Sequence, residues 1–206
     1  MVTTFAKKNK GFHELVGWLP FTDRERQIHS VLLPSIAEIS DLVYTEKLVS
    51  RARRRGSKFG FLDYWVYYRD IVLMMEVKKV FQGYGSSKLR SSTKERWKEV
   101  VDQVNSVGYD EISDMNVSAD KNFRVAMMNL TLYQGSSWKD SLGFVGEEVL
   151  QDFDLVLDSL DPRPNWAMAW SLSRDLQEPI RYGERGDYYY ETYPASLFLG
   201  LVRKRA

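Results

Sequence analysis

The chain has 206 residues, 44% hydrophobic and 28% charged, with 29 Lys+Arg against 28 Asp+Glu and a net charge of +1. That profile excludes a disordered chain, which needs low hydrophobicity and high net charge. It also excludes a general polyanion-binding charge, so any nucleic-acid site has to come from local clustering. Cysteine is absent and the histidines are His13 and His29, which removes disulfides, thiolate zinc, cysteine nucleophiles and multi-histidine metal sites. Carboxylate oxygens remain as metal donors, a set suited to magnesium, manganese or calcium. No apolar run approaches the ~18 residues that span a bilayer. The expectation is a single cytoplasmic domain over 1–206 with no membrane segment.

Residues 1–22 read as a loosely structured arm carrying Phe12, Leu15, Trp18 and Phe21. From Asp23 the pattern turns helical, with Ile28, Leu32 and Leu33 in a first piece. Pro34, favourable in a first turn, opens a second helix to about Arg54. Its stripe is Ile36, Ile39, Leu42, Val43 and Val49. The run Arg51-Ala-Arg53-Arg54-Arg55-Gly56 reads as its C-terminus, where cations and a glycine are expected.

Two strands follow, Phe59–Tyr68 and Ile71–Phe81, dense in β-branched and aromatic residues. Arg69-Asp70 between them reads as a tight hairpin. Gln82–Ser92 is a glycine- and serine-rich loop. Ser92 with Glu95 forms a capping-box signature for a helix to about Ser106, with Trp97, Val100, Val101 and Val104 inside. A polar stretch around Asp110–Asn122 leads to a strand over Phe123–Tyr133. An acidic amphipathic helix is expected from about Phe144 to Leu160, stopped by Asp161-Pro-Arg-Pro164. Trp166–Leu172 and Ser196–Arg203 read as strands, joined by an aromatic connection over Tyr182–Pro194. Strands interrupted by helices predict an α+β (α/β) fold with a mixed sheet flanked by helices.

Glu76 and Lys78 sit inside a run that otherwise suits a central strand. If Arg69 and Asp70 are the turn, Asp63 lies directly opposite Glu76. Opposed residues share a face of the sheet, as do residues i and i+2. Asp63, Glu76 and Lys78 then converge on one patch. Two carboxylates ~5 Å apart repel unless a cation sits between them, and a divalent metal with Lys78 alongside would do that. The plain alternative is an exposed cross-strand Asp–Lys pair on an edge hairpin. With 13 Glu and 13 Lys in the chain, about one Glu-x-Lys triplet arises by chance. The apolar flanks, Ile71-Val-Leu-Met-Met and Val77, argue against an edge and make charges there costly unless used.

Asp63 followed by Glu76-Val77-Lys78 resembles the core of the PD-(D/E)XK nuclease superfamily, the restriction-endonuclease-like fold. The proline of the "PD" is replaced by Leu62. The helix–hairpin–helix–strand order over about 35–133 also resembles the family's α-β-β-β-α-β plan, one strand short. The resemblance implies a magnesium-dependent deoxyribonuclease, with manganese able to substitute, acting on DNA endonucleolytically. Asp63, Glu76 and the Val77 carbonyl would be the metal ligands, and Lys78 would orient the attacking water. It implies two auxiliary positions, a glutamate on the helix before the hairpin (Glu46 or Glu38) and a glutamine after it (Gln103). Each has an ordinary surface reading beside it. Arg53, Arg54 and Arg55, with Lys88 and Arg90 in the loop, are the expected phosphate-backbone contacts. For either cluster alone, ordinary helix-end cations are the favoured reading. A homodimer is allowed, and a catalytically silent binding module in a nucleic-acid-associated assembly is the alternative function.

Overall fold

The computed structural model describes residues 1–53, 56–86, 88–108, 119–151, 153–183 and 188–204. Helix α1 (Val2–Val16) and helix α2 (Glu25–Ala37) open the chain. Three strands follow, β1 (Leu42–Arg53), β2 (Gly56–Tyr68) and β3 (Ile71–Gly83), then helix α3 (Ser91–Asn105) and strand β4 (Lys121–Ser136). The last part holds a short helix α4 (Phe153–Asp158) and strands β5 (Trp166–Ser171), β6 (Ile180–Tyr182) and β7 (Tyr189–Lys204). The fold is α+β: one seven-stranded mixed sheet in the order β1-β2-β3-β4-β7-β5, with β6 also on β7.

The β3–β4 pair is parallel, and α3 supplies the crossover that parallel neighbours require. The other pairings are antiparallel. β3, β4 and β7 are central and covered on both faces, which explains their long apolar runs. One core lies between α1, α2 and the sheet, around Phe5, Phe21, Ile28, Leu32, Val77, Met127 and Phe198. A second lies beneath α3 and α4, around Trp97, Val100, Met128, Leu130, Leu157 and Leu199.

The first 22 residues are not a loose arm. Phe5 and Asn9 are buried, and Asn9 accepts from the Phe21 N–H at 3.3 Å while donating to the Phe5 carbonyl at 3.0 Å. Leu15 is exposed. The predicted 34–54 helix is also wrong. Pro34 lies inside α2, and residues 42–53 are a strand that pairs with β2 along its length. The apolar spacing there fits a helical stripe by accident. The alternating burial of Lys47 and Val49 against exposed Leu48 is the true, two-residue period. α3 forms where expected, but its N-cap is Arg90 and no side chain caps it, so the Ser92–Glu95 box is not used. The acidic 144–160 segment is a 3-10 turn (Glu147–Leu150) and the short α4 rather than one helix. Most of 110–122 lies outside the described residues.

Candidate functional site

The β2–β3 hairpin turns at Arg69 and Asp70, both with positive φ (46° and 62°). That is the primed-turn geometry matching the strands' right-handed twist. Among the described residues the β2–β3 rungs run from Tyr68↔Ile71 to Tyr64↔Met75. Past that point β3 continues against β4 and β2 against β1, so the two strands part like a V. Asp63 stands at the fork. Its carboxylate accepts the Val77 N–H at 2.7 Å, taking the place of a ladder bond. A strand residue's N–H and C=O project to the same edge, so the Val77 carbonyl also faces the fork.

An open cleft of about 750 Å3 occupies this fork, lined by Asp63, Glu76 and Lys78 together with Arg51, Gly60 and the α3 residues Glu95, Lys98, Glu99, Asp102 and Gln103. The three residues expected to converge therefore do line one cavity. Glu76 is 3% exposed, and burial, with the nearby Asp63 charge second, pushes its carboxyl up to about 7 against the pull of Arg51 and Lys78. Burial also raises Asp63, opposed by the Val77 N–H, His29 and Lys78.

Arg51 is the residue that the sequence reading missed. Its guanidinium pairs with Glu76 and donates to the Gln103 carbonyl at 2.7 Å and the Phe61 carbonyl at 2.6 Å. It reaches across Gly60, where a Cβ would lie 2.6 Å from Arg51 Nε. Glu25, in the first turn of α2, was also missed. It lies 3.3 Å from Lys78 Nζ and accepts the Lys79 N–H at 3.4 Å. Reading 42–53 as a strand would have revealed Arg51, because Lys47, Val49 and Arg51 then fall on one face.

Glu46 is on β1, not on a helix, at φ 52°. It lines an adjoining cavity of about 400 Å3 with Arg26, His29, Thr45 and Tyr64 rather than the cleft of Glu76 and Lys78. Asp63 lines both. His29 is hydrogen-bonded to the Tyr64 hydroxyl, and burial lowers its pKa against the pull of Asp63 and Glu25. Glu38 ends α2 and pairs with Lys8 at 3.0 Å, away from the cleft. Gln103 does line the cleft. It donates to Glu99 at 3.3 Å, and its buried Oε1 has no hydrogen-bond partner among the described residues.

The expected backbone clamp is less well assembled. Arg51 and Arg53 lie on a strand, not at a helix end. Arg53 closes β1, and Arg54 and Arg55 lie outside the described residues. Lys88 and Arg90 line other cavities, Arg90 stacking on Tyr133. Within the cleft the cations are Arg51, Lys78 and Lys98.

A buried carboxylate, a half-buried one and a carbonyl at one fork are hard oxygen donors of the kind magnesium takes, usually with several waters retained. A cation would relieve the repulsion and burial that raise both acids. Arg51 competes for Glu76, and among the described residues no three His, Asp or Glu side chains form a metal-holding group. The donor set fits a sparsely ligated hard cation, not a closed protein cage. Among the described residues no helix is long and apolar enough to cross a membrane. Compared with protein-family models, curated proteins and solved structures, the chain has no match.

Proposed function

We propose that this chain is a divalent-metal-dependent phosphodiesterase acting on DNA, of the PD-(D/E)XK kind that its sequence resembles. The observation that carries the reading is that Asp63, Glu76 and Lys78, from two strands that part, line one cleft. The order α2-β1-β2-β3-α3-β4 supports it, because β1 supplies the strand that the sequence reading lacked. Asp63, Glu76 and the Val77 carbonyl would hold magnesium or manganese, which when bound polarises a scissile phosphate and acidifies a water. Lys78 orients that water and stabilises developing negative charge. Glu25 holds Lys78 in place from α2. Arg51 and Lys98 offer charge to phosphate oxygens from the cleft walls, and Gln103 offers an unused acceptor.

The Arg51–Glu76 ion pair favours a second reading, a catalytically silent nucleic-acid-binding module in which arginine replaces the metal. Cleavage assays on DNA in manganese and magnesium separate the two. The enzyme reading expects nicking or degradation that EDTA stops and that Glu76→Gln lowers by orders of magnitude while DNA binding persists. Equal cleavage by variant and wild type would mean that the activity is not from this site. No cleavage, with binding intact, would favour the silent module.

A further inference from the structure

A groove of about 470 Å3 opens on the α2 side of the sheet, toward the hairpin end, and shares no lining residue with the cleft. Its floor crosses four neighbouring strands at Tyr68, Leu73, Phe123 and Val202, a run of about 14 Å at ~4.8 Å per strand. Ile39, past the end of α2, and Trp166 on β5 also line it. Ser40 and the polar atoms of Tyr68 and Trp166 aside, the lining is apolar. Leu73, Phe123 and Val202 belong to central strands yet are only half-buried, whereas Val72 and Met74, on the other face of β3, are buried. α2 ends at Ala37, and this part of the face is left open. Its volume falls in the range of small-ligand sites, ~300–1,000 Å3.

One corner of the groove is basic. Lys121 lies two residues before Phe123 and Lys204 two after Val202, so strand alternation puts both on the groove's face. Arg203, one residue away, reaches Asn105 of α3 on the other face, as that alternation requires. Lys204 pairs with Phe123 across β4 and β7, which makes Lys121 its diagonal neighbour, ~7–8 Å away. Both lysines are exposed, and neither has an ion-pair partner among the described residues. Asp120, beside Lys121, falls on the opposite face by the same alternation, and Asp70 turns to the Tyr67 hydroxyl. At the far corner Arg69 and Asp41 balance in charge, Asp41 accepting the Arg69 N–H at 2.8 Å. Two adjacent cations at the end of an apolar channel suit a molecule with one anionic head and a long apolar tail. Going beyond the phosphodiesterase reading, we propose that the groove binds a free medium-chain carboxylic acid, its acyl chain along the floor and its carboxylate between Lys121 and Lys204. A flexible chain fills a concave floor that a bilayer surface or a flat partner would leave empty.

The test is isothermal titration calorimetry with octanoate, decanoate and decan-1-ol at monomeric concentrations. Decanoate saturates a single site and binds about 15-fold more tightly than octanoate, at ~0.8 kcal/mol per buried methylene. Lys121→Glu/Lys204→Glu weakens decanoate by about ten-fold or more, since two exposed ion pairs become two repulsions, and leaves decan-1-ol unchanged. Ile39→Asp, at a side chain 46% exposed, weakens both ligands while the thermal midpoint stays near wild type. Absence of saturable decanoate binding overturns the inference, as does equal affinity for the two acids or a charge-reversed variant that binds decanoate unchanged. Two further results overturn it by naming another occupant. One is sedimentation with vesicles of phosphatidylglycerol in place of decanoate binding, which would make the face a lipid-surface contact. The other is a dimer of wild-type protein that Ile39→Asp dissolves, which would make it a contact between copies. Neither DNA nor metal enters the measurement, so its outcome is independent of cleavage.

Discussion

Arg51 determines how costly the buried Glu76 is. With side chains 12% and 3% exposed, the pair is well removed from water, and breaking a buried pair from one side is costlier than removing both partners. Arg51→Ala should lose about 3 kcal/mol in EDTA, measured by urea unfolding. Manganese should then restore more stability to the variant than to the wild type, since ligand bound only by the folded state stabilises it. A loss below about 1 kcal/mol, with no extra response to manganese, would show that Arg51 is not the counter-ion assigned to it. Lys78 depends on Glu25 in a similar but looser way, and Glu25→Ala should slow cleavage by less than Lys78→Ala does. Kinetics of the two variants side by side check this; an equal or larger effect of Glu25→Ala would make Glu25 more than a support. Asp63, Glu76 and Lys78 were legible in the sequence because hairpin register and the two-residue strand period bring them together without knowledge of the rest. Arg51 was not, because its strand satisfies a helical stripe; Glu25 and His29 were not, because their helix is evident in the local pattern but its packing beside Lys78 and Asp63 is a contact distant in sequence.

Among elements, the hairpin was the most readable. Arg69 and Asp70 sit between two apolar runs of strand composition, and the pairing from Tyr68↔Ile71 to Tyr64↔Met75 keeps the expected register up to the fork at which Asp63 stands. β1 was the least readable. Its apolar residues satisfy a helical stripe, and only pairing with β2 decides the matter, a tertiary choice that overrides local pattern. Its reassignment puts Arg51 and Arg53 on a strand, with Arg51 lining the cleft. Replacing Arg53, Arg54 and Arg55 together should weaken DNA binding across sequences and reduce the slope of log K against log salt by up to ~3 units. An unchanged slope would remove the run from the interface. At the other end of the sheet, Gly200 on β7 faces Trp166 on β5, and a Cβ there would lie 2.0 Å from the indole. Gly200→Ala should therefore cost about 1–3 kcal/mol by forcing the ring aside. Thermal unfolding measures it, and an unperturbed midpoint would contradict the ring's placement.

Across the whole molecule, the sheet explains why the cleft is where it is. β3 is fastened to β4 over thirteen residue pairs, from Ile71↔Lys121 to Gly83↔Tyr133, while β2 leaves it after Met75, so the fork is held open by a rigid centre on one side. α2 and α3 close on it from their separate cores, bringing Glu25 and Gln103. The mixed α+β class followed from the alternation of strand and helix patterns. The strand order did not, because β4, β7 and β5 meet through contacts distant in sequence. The central claim is that this fork hydrolyses phosphodiesters and that Lys78 takes part in the chemistry rather than in metal holding. The most direct test is the rate of cleavage of labelled DNA in manganese by wild type and Lys78→Ala, with manganese affinity and thermal midpoint measured on the same preparations. The account predicts metal-dependent cleavage by wild type, and a fall of about 100-fold or more in the variant with metal affinity and fold retained. Equal rates in the two proteins, or wild-type protein that binds manganese and leaves DNA intact, would contradict it.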